Sequence, residues 1–228
     1  MSTTAVAVAT RKSLRFYDTT VGKKAVMAVS GVILFGFVLA HMAGNLQIYE
    51  GPEKLNAYAK LLRAMPAALW GARLTLLLMV VLHIWSSVKL ALLNKLEARP
   101  TGYVRHKNQT ATYAARTMYW SGPIILCFVI YHLMEFTWGV GGTPYQEGNV
   151  YANVVAGFKV LPVSAFYILS MILLGMHLSH GLSSLFRSLG FDHPRYTPVI
   201  KRLAVAISTL IVIGNISIPI SVLAGWVK

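Results

Sequence analysis

Residues 158–186 read FKVLPVSAFYILSMILLGMHLSHGLSSLF. A membrane-spanning helix needs about 20 mostly apolar residues at ~1.5 Å rise each, and this run meets that length while carrying His177 and His180 inside it. Working outward, four more stretches qualify, at 25–44, 67–93, 118–138 and 203–227. The expected fold is all-α: an integral membrane five-helix transmembrane bundle, one domain over residues 1–228. Charges within the spans are few. Arg73, Lys89, Glu135 and Lys159 fall near span ends, where long side chains snorkel to the interface. Pro66 and Pro162 fit first helical turns, and Pro219 lies deep enough in the last span to kink it.

Composition agrees with this reading. Of 228 residues 56% are apolar and 12% charged, against roughly a quarter charged in soluble domains, so a soluble enzyme is excluded. Basic residues outnumber acidic ones 21 to 7 for a net charge of +14. No nucleic-acid-binding motif contains them, so anionic lipid headgroups or an acidic protein face are the expected partners. The single cysteine, Cys127, excludes an internal disulfide, a CxxC zinc site, a Cys-ligated iron–sulfur cluster and covalent CxxCH haem attachment. A metal centre here must use histidine.

The first 24 residues lack the apolar core of a cleaved signal, so the chain is expected to keep its start at Met1 or Ser2. Arg11, Lys12, Arg15, Lys23 and Lys24 precede the first span. Lys95, Arg99, Arg105, Lys107 and Arg116 lie between the second and third, and Arg187, Arg195, Lys201 and Arg202 between the fourth and fifth. By the positive-inside rule the N-terminus is cytoplasmic.

Seven histidines occur, and His106 and His193 fall in the basic loops as ordinary solvated side chains. His41, His83, His132 and His177 instead come one from each of the first four spans, where ionisable groups are rare because they are expensive. Each lies past the midpoint of its own helix, and consecutive helices run in opposite directions. His41 and His132 therefore share the outer half and His83 and His177 the inner half, in layers about 14 Å apart at ~1.5 Å per residue. Two imidazoles facing each other across a bundle are the axial ligands of a b-type haem, so two haem b groups are expected. Zinc fits less well, because it wants four ligands at one depth. Gly31, Gly36, Gly44, Ser86, Ser87, Gly175 and Gly181 either leave room for a flat macrocycle or let helices pack closely. Met42 and Met176 adjoin histidines but point about 100° away from them, which favours packing.

Stacked haems make an electron path across the membrane. With no soluble redox domain in the chain, a lipid-soluble quinone is the natural partner on the membrane side, and the basic cytoplasmic loops suit an acidic or cluster-bearing subunit.

Particular motifs add to this. His41-Met42-Ala43-Gly44-Asn45-Leu46, Asn56-Ala57-Tyr58-Ala59 with Leu62-Arg63, and His177-Leu178-Ser179-His180-Gly181 followed by Ser183 and Leu189-Gly190 run through nearly the whole chain. With them the sequence resembles the single-chain, five-helix, di-haem cytochrome b anchor of succinate dehydrogenase and fumarate reductase complexes. The resemblance implies that His41 and His132 bind the distal haem and His83 and His177 the proximal one. His180 then becomes a second-shell or propionate partner, together with Ser30 and Arg187. It also implies a flavoprotein subunit that interconverts succinate and fumarate, an iron–sulfur subunit that delivers electrons here, and menaquinone as the acceptor, all in a bacterial cytoplasmic membrane. No succinate chemistry falls to this chain, and association of whole complexes into oligomers is compatible with it. Fumarate-reducing members carry a glutamate on the fourth helix near the ligand. Leu174-Gly175-Met176 offers no acid, which favours succinate oxidation.

For the quinone, a headgroup needs a hydrogen-bond donor and a proton route. Outer candidates are Tyr49, Glu50, Asn56, Tyr58, Arg63, Trp70, Arg73 and Glu135; inner ones are Ser30, Arg116, Tyr119, Trp120, His180 and Arg187. Glu135 is equally a propionate neighbour or an interface anchor, and the aromatics double as interfacial belts. Competing functions are the cytochrome b anchor of a formate dehydrogenase, hydrogenase or nitrate reductase, and a histidine-relay transporter or proton channel. The latter calls for acids along a water path, and only Glu135 qualifies.

Overall fold

The computed structural model describes residues 15–94 and 112–228. Arg11, Lys12, Lys95, Arg99, Arg105, His106 and Lys107, with the start of the chain, lie outside the described residues. Seven α-helices are seen among those described: α1 (Thr20–Asn45), α2 (Pro52–Arg63), α3 (Pro66–Leu92), α4 (Tyr113–Phe136), α5 (Val150–Lys159), α6 (Leu161–Ser188) and α7 (Thr197–Leu223). Five are long and apolar enough to cross a membrane, with mean hydropathy between 1.3 and 2.2 over their best windows. At ~1.5 Å per residue each exceeds the ~30 Å hydrocarbon thickness.

Burial is inverted relative to a water-soluble bundle. Leu74, Leu77, Leu78 and Val81 on α3 and Leu203, Leu210 and Ile213 on α7 are exposed, whereas Ser30, Ser86, Ser121, Ser164, Ser170 and Ser208 are buried. An apolar surface of this extent marks contact with lipid rather than water. Small hydroxyl residues inside let helices approach and bond across the bundle. The chain is thus an all-α multi-pass membrane protein.

Helix ends follow local chemistry. Thr19 caps α1 by accepting from Gly22 N at 2.9 Å, and Thr112 caps α4 by accepting from Ala115 N at 3.2 Å. At the end of α7, Gly225 takes φ 74° while Gly225 N donates to Val222 O and Trp226 N to Ser221 O, a Schellman stop. That stop ends the helix at Leu223 rather than at 227. Proline sets other boundaries. Continuing α5 into α6 would drive the Pro162 ring into the carbonyl of Phe158, so Val160 turns extended and α6 starts at Leu161. Lys159 therefore ends the short helix α5 and does not lie inside the fourth span. Arg116 sits in the first turn of α4, and Lys201 and Arg202 lie within α7, instead of in loops. Pro123, within α4, and Pro219, within α7, leave both helices continuous.

The helices α2 and α5 cap one end of the bundle. Ile48, Leu55, Val155, Phe158, Tyr167, Ile218 and Val222 form the main core there. A polar clamp joins the caps: Asn56 Nδ2 donates to Asn149 Oδ1 at 3.0 Å, and Asn56 Oδ1 accepts from Tyr151 N at 3.0 Å. Asn149 Oδ1 also accepts from Ala152 N at 3.2 Å, as the α5 N-cap. Asn56→Ala would orphan the Tyr151 amide, at a cost of about 1–3 kcal/mol. The expected result is a lower unfolding midpoint in detergent with faster amide exchange at Tyr151. Unchanged exchange there would show that the clamp does not hold the cap.

Candidate functional site

Close packing joins α1 to α3, and α6 to both α4 and α7. The helices that share a histidine pair are not packing neighbours: α1 does not run against α4, nor α3 against α6. Across these two gaps the imidazoles meet. His41 and His132 stand 5.7 Å apart centre to centre, edge to face at 90°, and His83 and His177 stand 6.2 Å apart at 56°. By position along their helices the first pair lies toward the capped end and the second toward the opposite end.

Edge-to-face rings pack at such distances without any metal. Two imidazoles on opposite sides of one metal ion, at about 2.0–2.1 Å per metal–nitrogen bond, also stand about 6 Å apart between centroids. The hydrogen bonds at the rings bear on which nitrogen is free. Ser30 Oγ lies 3.3 Å from His83 Nδ1 and donates its proton to Val26 O at 2.7 Å, so its oxygen accepts and Nδ1 carries the hydrogen. Ser121 Oγ lies 3.3 Å from His177 Nδ1, with its proton toward Met118 O at 3.5 Å. Tyr167 OH lies 3.3 Å from His132 Nδ1. Three of the four rings thus have Nδ1 engaged by a hydroxyl; where Nδ1 is the donor in that contact, Nε2 keeps its lone pair, the state required of a metal ligand. His41 stacks on Phe37 at 5.2 Å, and Phe128, Phe136 and Tyr167 surround His132. Among the described residues no three His, Cys, Asp or Glu side chains form a metal-binding group. The donor sets come in twos, as axial ligation requires and a tetrahedral zinc site does not.

The glycines divide by what they face. A Cβ at Gly44 would lie 2.8 Å from the Tyr58 ring, and one at Gly175 would lie 2.3 Å from Val212 Cγ2, so both serve packing. Gly31 faces His83 Cε1 at 3.4 Å, while Gly36 and Gly181 meet nothing within 4 Å. Met42 packs on Gly214 of α7, away from the histidines.

The remaining expected site residues are dispersed. Ser30 touches His83 Nδ1, and Arg187 lies near His180, one helix face along from His177. Tyr49 commits its hydroxyl to Ser217 at 2.8 Å and Ser221 at 3.0 Å. Glu50 pairs with Lys54 at 3.6 Å, and Arg73 lies over the Trp70 ring at 5.1 Å. Arg63 is exposed on α2. Glu135 is a correction: it is not an interfacial snorkeller but is only 2% exposed, because Gly141 and Gly157 let the loop after α4 and α5 close over it. Ser121 and Tyr167 were not anticipated from sequence. A hydroxyl at matching depth on the helix packed beside each histidine is the signal that finds them. No protein-family model, curated protein or solved structure matches the chain.

Proposed function

We propose that this chain is the membrane anchor and electron-transfer subunit of a succinate:quinone oxidoreductase, carrying electrons from a cytoplasmic iron–sulfur partner to a quinone, with menaquinone the expected species. The observation that carries the reading is the pair of histidine pairs, each reaching across a gap between two helices that do not pack on each other. A bound haem b supplies a one-electron carrier at each level. His41 and His132 hold the outer group and His83 and His177 the inner one. Ser30 and Ser121 fix the tautomer and ring angle of the inner ligands, and Tyr167 does so for His132. The lipid-facing surfaces of α3 and α7 seat the chain in the bilayer, with the N-terminus cytoplasmic. His180 and Arg187, at the end away from the cap, are suited to propionates. The succinate partner rests on the resemblance in the HMAGNL and HLSHG segments, with a flavoprotein as the succinate-handling subunit.

The experiment is a pyridine haemochrome assay with a redox titration of the purified complex. Two b-type haems per chain, reduced by succinate, are expected. Reduction by formate or hydrogen instead would move the chain to another respiratory anchor, and the absence of haem from folded, cofactor-replete material would overturn the reading.

A smaller effect is expected from the serines. Ser30→Ala and Ser121→Ala each remove the acceptor at an inner Nδ1, and outer-shell losses of this kind typically cost about 10–100-fold in metal affinity. Inner haem should be lost from either variant at detergent dilutions that leave the outer haem in place. Equal retention of both haems would show that these hydroxyls do not steady the ligands.

A further inference from the structure

The carboxyl group of Glu135 is buried one helical turn beyond His132 and is built into its place. A Cβ at Gly157 would come 2.7 Å from Oε1, and one at Gly141 would come 2.7 Å from the Glu135 Cα. Thr143 Oγ1 donates to Oε1 at 3.1 Å. The Tyr131 and Tyr167 rings pack together beside this turn of the helix, Tyr167 against His132 and Phe136 as well, and the Tyr131 hydroxyl donates to Gly141 O at 3.4 Å. Oε2 is buried without a partner, so the group keeps accepting capacity on the side that no donor fills. Tyr167 faces two ways, toward this carboxyl group and toward His132 Nδ1 at 3.3 Å.

Building on the haem reading above, we propose that Tyr167, backed by Glu135, is a positioning residue that sets the donor strength of His132 and thereby the reduction potential of the outer centre. On the haem reading His132 Nδ1–H donates to the Tyr167 oxygen at 3.3 Å, which leaves the Tyr167 proton free to turn toward the unpartnered Oε2 of the carboxyl group. A phenol whose own proton is drawn toward an acid oxygen is a better acceptor than one facing nothing, because hydrogen bonds in series polarise one another. A stronger acceptor at Nδ1 makes Nε2 a stronger donor, which favours the oxidised metal. The inner pair has a different second layer: Ser30 and Ser121 have main-chain carbonyls as acceptors, and among the described residues no carboxyl group is bonded to them. The two levels therefore differ in what stands behind Nδ1, and among the described residues it is the outer one that has a carboxyl group there.

The test is potentiometric titration of both haems in the intact complex carrying Tyr167→Phe, which keeps the ring that packs against Phe128 and Phe158. The outer potential should rise and the inner one stay where it is. Glu135→Gln, which retains one accepting oxygen, should move the outer potential in the same direction by less. Should Tyr167→Phe fail to fold, Glu135→Gln decides alone. An outer potential unmoved in the folded variants, or an equal shift of both haems, overturns this inference while leaving the functional reading intact. Wild-type complex without haem overturns the functional reading, and this inference with it.

Discussion

On the proposed reading, a chain carrying His83→Ala or His177→Ala is expected to hold one haem against two expected in the wild type, and the haem that remains is expected to stay oxidised when succinate is added. The pair stands 6.2 Å apart between α3 and α6, which do not otherwise pack together. Among the described residues, removing one ring leaves no second imidazole at the same level: Ser121 and Ser30 offer only hydroxyls, and His180 lies about one turn further along α6. Loss of the inner group then breaks the path from the cytoplasmic partner, so the outer haem should respond to dithionite but not to succinate. His41→Ala and His132→Ala should give the converse: one haem retained, reduced by succinate, with quinone reduction lost. The readouts are haem per chain and the fraction reduced by each donor. Unchanged haem content in all four variants would remove the ligand assignment, and equal loss of both haems in each would mean that the pairs do not form separate sites. The asymmetry between inner and outer variants is therefore more informative than the loss itself.

The features legible in the sequence were those that repeat over many residues. Five apolar runs set the spans, because exposed apolar surface as extensive as that of α3 and α7 is suited to lipid rather than water. The level of each histidine along the bundle follows from helix direction and a constant rise, which is why residues more than 90 positions apart, His41 with His132 and His83 with His177, are legible as pairs in the sequence. Short elements were harder. The α2 segment mixes Glu53, Lys54, Lys60 and Arg63 with a single buried residue, Leu55, and its helix is set by Pro52 and by the cap it forms with α5 rather than by a long pattern. The break at Val160 is written in Pro162, yet the apolar run continues through it and hid α5 within the fourth span. Glu135 was misjudged because proximity to a span end says nothing of what closes over it. Its burial depends on Gly141 and Gly157, which come near it only once the loop has folded back. The small residues were ambiguous for a related reason: a glycine shows that space is needed but not which neighbour fills it, and here Tyr58 and Val212 fill two of the places left open for a macrocycle.

Gly175 gives a packing prediction that reaches the histidines. Here α6 lies so close to α7 that an added Cβ would come 2.3 Å from Val212 Cγ2, far inside van der Waals contact, with Ser208 O at 3.9 Å. Val212 is β-branched and held to one rotamer in a helix, so it cannot swing clear, and the helices must part. Overpacking of this kind costs about 1–3 kcal/mol. Replacing glycine by alanine in a helix returns about 0.5–1 kcal/mol through lower chain entropy, so the clash prevails and Gly175→Ala should lower the unfolding midpoint in detergent. Gly36→Ala, with nothing within 4 Å, meets no such clash and should be neutral or stabilising. Val212→Ala in the Gly175→Ala background should restore most of the lost stability, because it removes the atom that the new methyl meets. A stable single variant, or a double variant no better than the single, would show that α6 and α7 adjust without strain. Gly175 also lies two residues before His177, so parting α6 from α7 shifts the helix that carries an inner ligand. The inner haem spectrum should therefore change in Gly175→Ala and recover in the double variant, although neither Gly175 nor Val212 is a ligand.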